Sequence, residues 1–249
     1  MPNSREIMAH GDHRSTGSST VLAGGGAALA TAYLLPGAAQ KVAPLRRALG
    51  IGERTRSGMG VGLTFDDGPH PAGTPAVLAV LAERRVRASF FLVGEQVARD
   101  AGLAAEIVAA GHRIGLHCDR HRNLLRLGPR AVWEDIARAR GRIEDATGSG
   151  IELYRPPYGV FNAAALLIAR TSGWRPLLWT HWGRDWEARA TPESIARRLT
   201  GPGLGPGSVL LLHDADDYGA PGSWQRTAAA LPLVLDELER RGLETTTDV

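Results

Sequence analysis

Val61-Gly62-Leu63-Thr64-Phe65-Asp66-Asp67-Gly68-Pro69 reads as a short apolar strand that runs straight into two carboxylates and a turn. Adjacent carboxylates at a strand end repel each other unless a cation or an arginine offsets them. Successive side chains of an extended backbone point to opposite sides. One acid can then hold a metal while its neighbour faces a reacting water. The plain alternative is an ordinary Asp-Asp-Gly-Pro turn.

Outward from this stretch the same grammar repeats. Apolar runs at Ala88–Val93, Arg113–His117, Glu152–Tyr154, Trp174–Thr180 and Ser208–His213 read as further strands. Amphipathic stretches near 75–85, 95–110, 129–147, 161–172, 192–200 and 224–241 read as helices. Strands alternating with helices predict parallel β/α units, in a barrel or an open doubly wound sheet. In such folds the C-terminal strand ends line the site of function. Polar clusters fall just there: Asp66-Asp67, His117–His121, Arg155–Tyr158, Asp185-Trp186 and His213-Asp214.

Each cluster has a chemical reading beside a plain one. His117 and His121, four apart, can chelate one ion, although two histidines at that spacing also occur by chance. With a carboxylate at another strand end, three protein ligands and an open water position become possible, a catalytic zinc pattern. Cys118 could add a ligand but need not face the same way. The prolines of Arg155-Pro156-Pro157-Tyr158 stiffen a loop that could hold Arg155 against Asp66. The Tyr158 backbone N–H is a candidate oxyanion donor, against the alternative of a rigid surface turn. Trp186 beside Asp185 offers a flat face for a sugar ring, or a core tryptophan. His213, ending an apolar run, suits a general acid or a satisfied structural histidine.

These motifs, TFDDGP at Thr64–Pro69, the His117/His121 pair, RPPY at Arg155–Tyr158, Asp185-Trp186 and Leu211-Leu212-His213, stand in the order and approximate spacing of a known family. Over residues 60–243 the chain resembles the polysaccharide deacetylases, also called the NodB-homology domain or family 4 carbohydrate esterases. The resemblance implies an α/β fold, a distorted (β/α)7 barrel, and one divalent metal ion, zinc foremost with cobalt or nickel as alternatives. It places Asp67, His117 and His121 as metal ligands, Asp66 as base and His213 as acid. It makes Arg155 the residue that tunes the base and Asp185 the one that orients the acid. Tyr158, Trp186 and Leu211 fall on substrate-binding positions. The implied activity is removal of acetyl groups from N-acetylglucosamine-type residues of a peptidoglycan or chitin-like polysaccharide. Alternatives are the same chemistry on xylan O-acetyl esters, small acylated amino sugars or natural products, or a catalytically inactive carbohydrate-binding protein. Two positions depart from the family pattern. Cys118 stands where a serine or threonine hydroxyl usually steadies the loop, and Trp182 stands where an aspartate is frequent.

The chain has 249 residues, 43% of them hydrophobic and 22% charged, enough for one sizeable core. A net charge of +3 is too mild to argue for nucleic acid. Cys118 is the single cysteine, so no intrachain disulfide can form. Residues 1–20 are polar and expected to be disordered. Residues 21–39 carry no charge and read as a signal peptide or membrane anchor, with Gly37-Ala38-Ala39 as a cleavable stretch, or else as a loosely packed helix. Export to the cell envelope follows from the first reading. Residues 40–59 read as a linker and 60–249 as the catalytic domain. The sequence does not fix the oligomeric state.

Overall fold

The computed structural model describes residues 28–249. The expected disordered segment 1–20 and the start of the 21–39 segment lie outside them. Strands β1 (Val61–Asp66), β2 (Ser89–Val93), β3 (Arg113–Cys118), β4 (Leu153–Tyr154), β5 (Arg175–Pro176), β6 (His181–Trp182) and β7 (Val209–His213) form one parallel sheet. Their spatial order is β5-β4-β3-β2-β1-β7-β6, and a last short strand, β8 (Thr245–Thr246), pairs with the start of β1.

The curl of this sheet follows from its two edges. Strands β5 and β6 lie at opposite ends of the order yet are joined by only Leu177–Thr180. The chain therefore crosses from one edge to the other without a helix, which draws the edges together. A single strand over Trp174–Thr180 was expected. Pro176, lacking an N–H, closes β5 instead, and the ladder resumes at His181 on the far edge. The seam is patched by the stretch expected to be a linker. Gly52 bridges to Leu177 and Arg54 to Ser208. Residues 40–59 also carry helix α1 (Ala43–Ala48), and Ile51 is buried in the core. They belong to the folded body.

Helices α2 (Gly73–Glu83), α3 (Gly94–Arg99), α4 (Ala101–Ala109), α5 (Pro129–Thr147), α6 (Ala163–Thr171), α7 (Pro192–Leu199) and α8 (Ser223–Arg240) complete the fold. The single helix expected over 95–110 is two. Asp100 leaves helical dihedrals, and its carboxylate caps α4 by accepting from the Leu103 N–H at 3.0 Å. Helix α5 starts with proline in its first turn and ends at Gly148 in the left-handed conformation, two signals readable from sequence.

Strand parity sets the site. Val61, Leu63 and Phe65 of β1, Phe90 and Leu92 of β2, Ile114 and Leu116 of β3, and Leu210 and Leu212 of β7 belong to the main core cluster. The alternate residues face the other way. Phe91, Leu153, Leu177, Val209 and Val249 there form a second cluster inside the curl. Gly62 has no side chain because Val249 fills the space a Cβ would need. Continuing the same parity to the strand ends brings Asp66, His117, Leu211 and His213 to the mouth of the curl.

Ahead of α1, residues 28–34 are helical and lead into a 3-10 turn, Leu35–Gln40. This arm is docked. The Tyr33 hydroxyl donates to the Leu127 carbonyl and accepts from Asn162 Nδ2, both at 2.8 Å. Gln40 Nε2 donates to the Tyr158 carbonyl at 2.7 Å. Among the described residues no helix is long and apolar enough to cross a membrane.

Candidate active site

The mouth of the curl is a cleft of about 300 Å³ lined by Asp66, Asp67, His117, His121, Tyr158, Trp186, Leu211 and His213, together with Gln40, Gly159, Val160, Trp179, Trp182 and Tyr218. Every metal-ligand and substrate-binding position expected from the sequence therefore lies on one surface. Arg155 and Asp185 are fully buried directly behind it.

Asp67 leaves β1 with φ 81°, a left-handed conformation rare for a non-glycine residue. The turn aims Oδ1 between two imidazoles, 3.4 Å from His117 Nε2 and 3.3 Å from His121 Nε2. His117 Nδ1 lies 2.7 Å from the Arg155 carbonyl, which can only accept, so Nδ1 carries the proton and Nε2 presents a lone pair. Burial pushes His121 down to about 4, and that ring is neutral at pH 7. Burial opposes ionisation of Asp67, but His117, His213 and His121 outweigh it and hold the carboxyl at about 2. Asp67 Oδ1 is buried with no hydrogen-bond partner among the described residues. Asp67 Oδ1 and the two imidazole Nε2 atoms thus converge on one point in a buried setting, so these residues fit a divalent metal.

A second group within ligating distance, His70, Asp216 and Asp217, does not fit one. His70 Nδ1 accepts from the Ala72 and Gly73 N–H groups, which leaves the proton on Nε2, 3.3 Å from Asp216 Oδ1. Both ring nitrogens are thereby used.

Asp66 and Asp67 diverge as an extended backbone requires. Asp66 Oδ1 accepts from Arg155 Nη1 at 2.7 Å, while Oδ2 takes no hydrogen bond from the described residues. Arg155 also donates to Thr64 Oγ1 at 2.9 Å and, from Nε and Nη2, to the Leu177 and Leu178 carbonyls at 3.1 and 3.0 Å. Its guanidinium lies 4.0 Å from the centre of the Phe91 ring. One buried arginine thus ties β1 to the seam and fixes one oxygen of Asp66.

On the other side stands His213, at the end of β7. Asp185 Oδ1 sits 2.9 Å from its Nδ1, and Asp185 Oδ2 accepts from the His213 N–H and from Thr227 Oγ1, each at 2.7 Å. Burial opposes the imidazolium, yet the Asp185 carboxylate outweighs that and lifts His213 to about 10. Its Nε2 lies 4.0 Å from Asp67 Oδ2. A proton donor therefore stands beside Asp67 in the same cleft as Asp66, its register partner on the neighbouring strand.

The two departures from the family pattern resolve differently. Cys118 is buried, and burial drives its thiol well above the ordinary range. It lies outside the converging donors. The loop that follows it is held by Asp135 of α5. That carboxylate accepts from the Asp119 N–H at 2.8 Å, the Arg120 N–H at 3.4 Å and Arg122 Nη2 at 2.6 Å. Trp182 is 42% exposed and stands between Trp179 and Trp186, with ring centroids 5.9 and 5.4 Å away. Where an acid is frequent, this chain builds an aromatic wall.

Sequence reading missed Gln40, Tyr218 and Asp135. Nothing in their local sequence marks them, because they reach the site from an arm, a loop and a helix that only the tertiary fold brings in.

Comparison with known proteins agrees with this geometry. The polysaccharide deacetylase family profile matches residues 53–177. A chitooligosaccharide deacetylase of Bradyrhizobium sp. (strain ANU 289) is 34% identical over 207 residues, 80% of this chain and 92% of that protein. A peptidoglycan-N-acetylglucosamine deacetylase of Bacillus cereus is 32% identical over 184 residues, 73% of this chain and 83% of that protein. Among solved structures, a family 4 carbohydrate esterase from Streptomyces lividans in complex with acetate superposes with a TM-score of 0.68. It is 31% identical, covering 76% of this chain and 92% of that one. The chain belongs to the polysaccharide deacetylase family, and its curled parallel sheet is the distorted (β/α)7 barrel expected.

Proposed function

We propose that this chain is a metal-dependent deacetylase that hydrolyses the acetamide of N-acetylglucosamine-type residues in a chitin-like or peptidoglycan glycan. The observation that carries this reading is one cleft that holds Asp66, its Oδ2 free of hydrogen bonds from the described residues, and a charged His213 beside Asp67, His117 and His121. A binding protein has no use for a proton acceptor and a proton donor in the same cleft as a metal cradle. The names of the Bradyrhizobium and Bacillus relatives support an acetylated amino-sugar substrate.

Asp67, His117 and His121 would hold the ion, with Zn2+ the first choice and Co2+ or Ni2+ compatible with the same donors. Bound there, a divalent cation polarises the acyl carbonyl and makes a water acidic. Asp66, anchored through Oδ1, takes the proton of the attacking water on Oδ2. Tyr158, at φ 60° over the cleft, offers a backbone N–H to the developing oxyanion. His213 gives its Nε2 proton to the departing amine, and Asp185 stabilises the charge before that transfer. The products are acetate and a free amino sugar. Leu211 and the Trp186–Trp182 wall form an apolar bed for the sugar. The protein would act at the cell envelope, where such glycans lie, with the arm from Tyr33 to Gln40 docked on the catalytic body.

The test is acetate release by the full chain from N-acetylated chitooligosaccharides and peptidoglycan, with acetylxylan as comparison. Activity on the first two that disappears in Asp66→Asn and His213→Ala is expected. Release from acetylxylan alone would replace the amide substrate with an ester, and no release from any of the three would overturn the reading.

A further inference from the structure

A metal-binding imidazole must be held in orientation as well as kept neutral, and a hydrogen bond from its second nitrogen normally does this. His117 follows that rule through Nδ1 and the Arg155 carbonyl. His121 does not: its Nδ1 is buried with no hydrogen-bond partner among the described residues. Its ring is confined by aromatic faces instead. Tyr218 lies almost parallel to it, with centroids 4.2 Å apart and planes at 13°. Tyr158 meets it edge-on at 4.7 Å and 73°.

Tyr218 is itself fixed at its far end. Its hydroxyl donates to Glu95 Oε1 at 2.7 Å and accepts from Gln96 Nε2 at 3.3 Å. The Glu95 N–H in turn donates to the Asp119 carbonyl at 3.0 Å, in the loop that carries His121. Loop, helix α3 and phenol thus form a closed frame around the histidine.

We propose that Tyr218 is the positioning residue for His121, its stacked ring replacing the missing hydrogen bond in setting the direction of Nε2. This rests on the metal reading of Asp67, His117 and His121. Tyr218 is partly exposed on a loop, so its replacement leaves the core intact.

The experiment measures Zn2+ affinity of the full chain by chelator competition and the visible spectrum of its Co2+ form, for wild type, Tyr218→Phe and Tyr218→Leu. Metal-free melting curves accompany both. Loss of an orienting partner typically weakens metal binding by about 10–100-fold. Tyr218→Leu is expected near the lower end of that range, with altered Co2+ bands and an unchanged metal-free melt. Tyr218→Phe, which keeps the stack, is expected to stay closer to wild type in both readouts. Wild-type Zn2+ affinity and Co2+ bands in Tyr218→Leu would overturn the proposal, as would equal weakening by Phe and Leu. A wild-type chain that binds no metal would remove the metal reading and this proposal together. A chain that binds it and ignores Tyr218→Leu would remove this one alone.

Discussion

His213 and Asp185 are joined twice: one carboxylate oxygen meets the imidazole Nδ1 at 2.9 Å, and the other accepts the backbone N–H of the same histidine at 2.7 Å. The second bond fixes where the strand end lies, and the first fixes which way the ring points and keeps it charged. Burial alone would discharge His213; Asp185 overrides it and raises the group to about 10. The sign of the pH effect follows. The folded pKa exceeds the unfolded value of about 6.5, so the pair's contribution to stability is complete below that value. It is lost as the pH climbs through about 10. Activity that needs the His213 proton falls on the same alkaline side. In Asp185→Asn the alkaline limb of kcat/KM is expected to move down by about 1–3 pH units, read from pH–rate profiles. An unmoved limb would separate His213 from the acid step.

Arg155 and Asp66 make a buried ion pair, and removing one partner strands the other. Arg155→Met is expected to cost about 3–5 kcal/mol of stability, measured by denaturant unfolding, because Asp66 and the Leu177 and Leu178 carbonyls lose their donors together. Asp66→Asn keeps a hydrogen-bond acceptor for Arg155 but leaves its charge uncompensated, so it should lose less stability than Arg155→Met while turnover drops about 10²–10⁴-fold. Similar losses of stability in both variants would argue against this division.

Chelation offers a prediction on the ion itself. An ion that binds only the folded chain stabilises it by about 2.7 kcal/mol at a hundredfold excess over Kd. Chelator should therefore abolish acetate release and lower Tm, and Zn2+ should restore both. Asp67→Ala should show the low Tm with or without Zn2+. A Tm indifferent to chelator and metal would contradict the cradle.

The loop bearing His121 depends on Asp135. In Asp135→Ala the Asp119 and Arg120 N–H groups lose their acceptor, at about 1–3 kcal/mol for each donor left buried. Zn2+ affinity should fall with stability. Cys118→Ser, by contrast, changes a side chain that supports neither, and should alter Zn2+ affinity far less, as competition titrations of the two variants would show.

Trp182 is the exposed member of the aromatic wall. Trp182→Ala should raise KM for chitooligosaccharides by about two- to tenfold, the worth of one lost stacking contact, with kcat little changed. A fall in kcat at constant KM would place Trp182 with the reacting groups instead.

Much of the fold was legible because the strands obey parity and the acids and histidines sit at their ends. Asp66, Asp67, His117 and His213 could be placed at the mouth from spacing alone. Three features were not legible. The 174–180 stretch reads as one largely apolar run, and only tertiary structure shows that the chain leaves one edge at Pro176 and rejoins the other at His181. The 95–110 pattern hides a break, since Asp100 caps a new helix without disturbing the periodicity. Residues 40–59 lack a strong pattern, yet Gly52 and Arg54 close the seam with single bridges too short to leave a sequence signature.

The docking of Tyr33 on Leu127 and Asn162, and of Gln40 on Tyr158, leaves no slack between the arm and the rim of the cleft. Any load applied ahead of residue 28 is passed to the loops that frame the site rather than absorbed by a free leash. Reach toward a glycan is then set by movement of the whole body. A cut behind Ala39 would remove the Tyr33 hook and make Gln40 the new chain end, so trimming the arm would reshape the entrance through which substrate arrives.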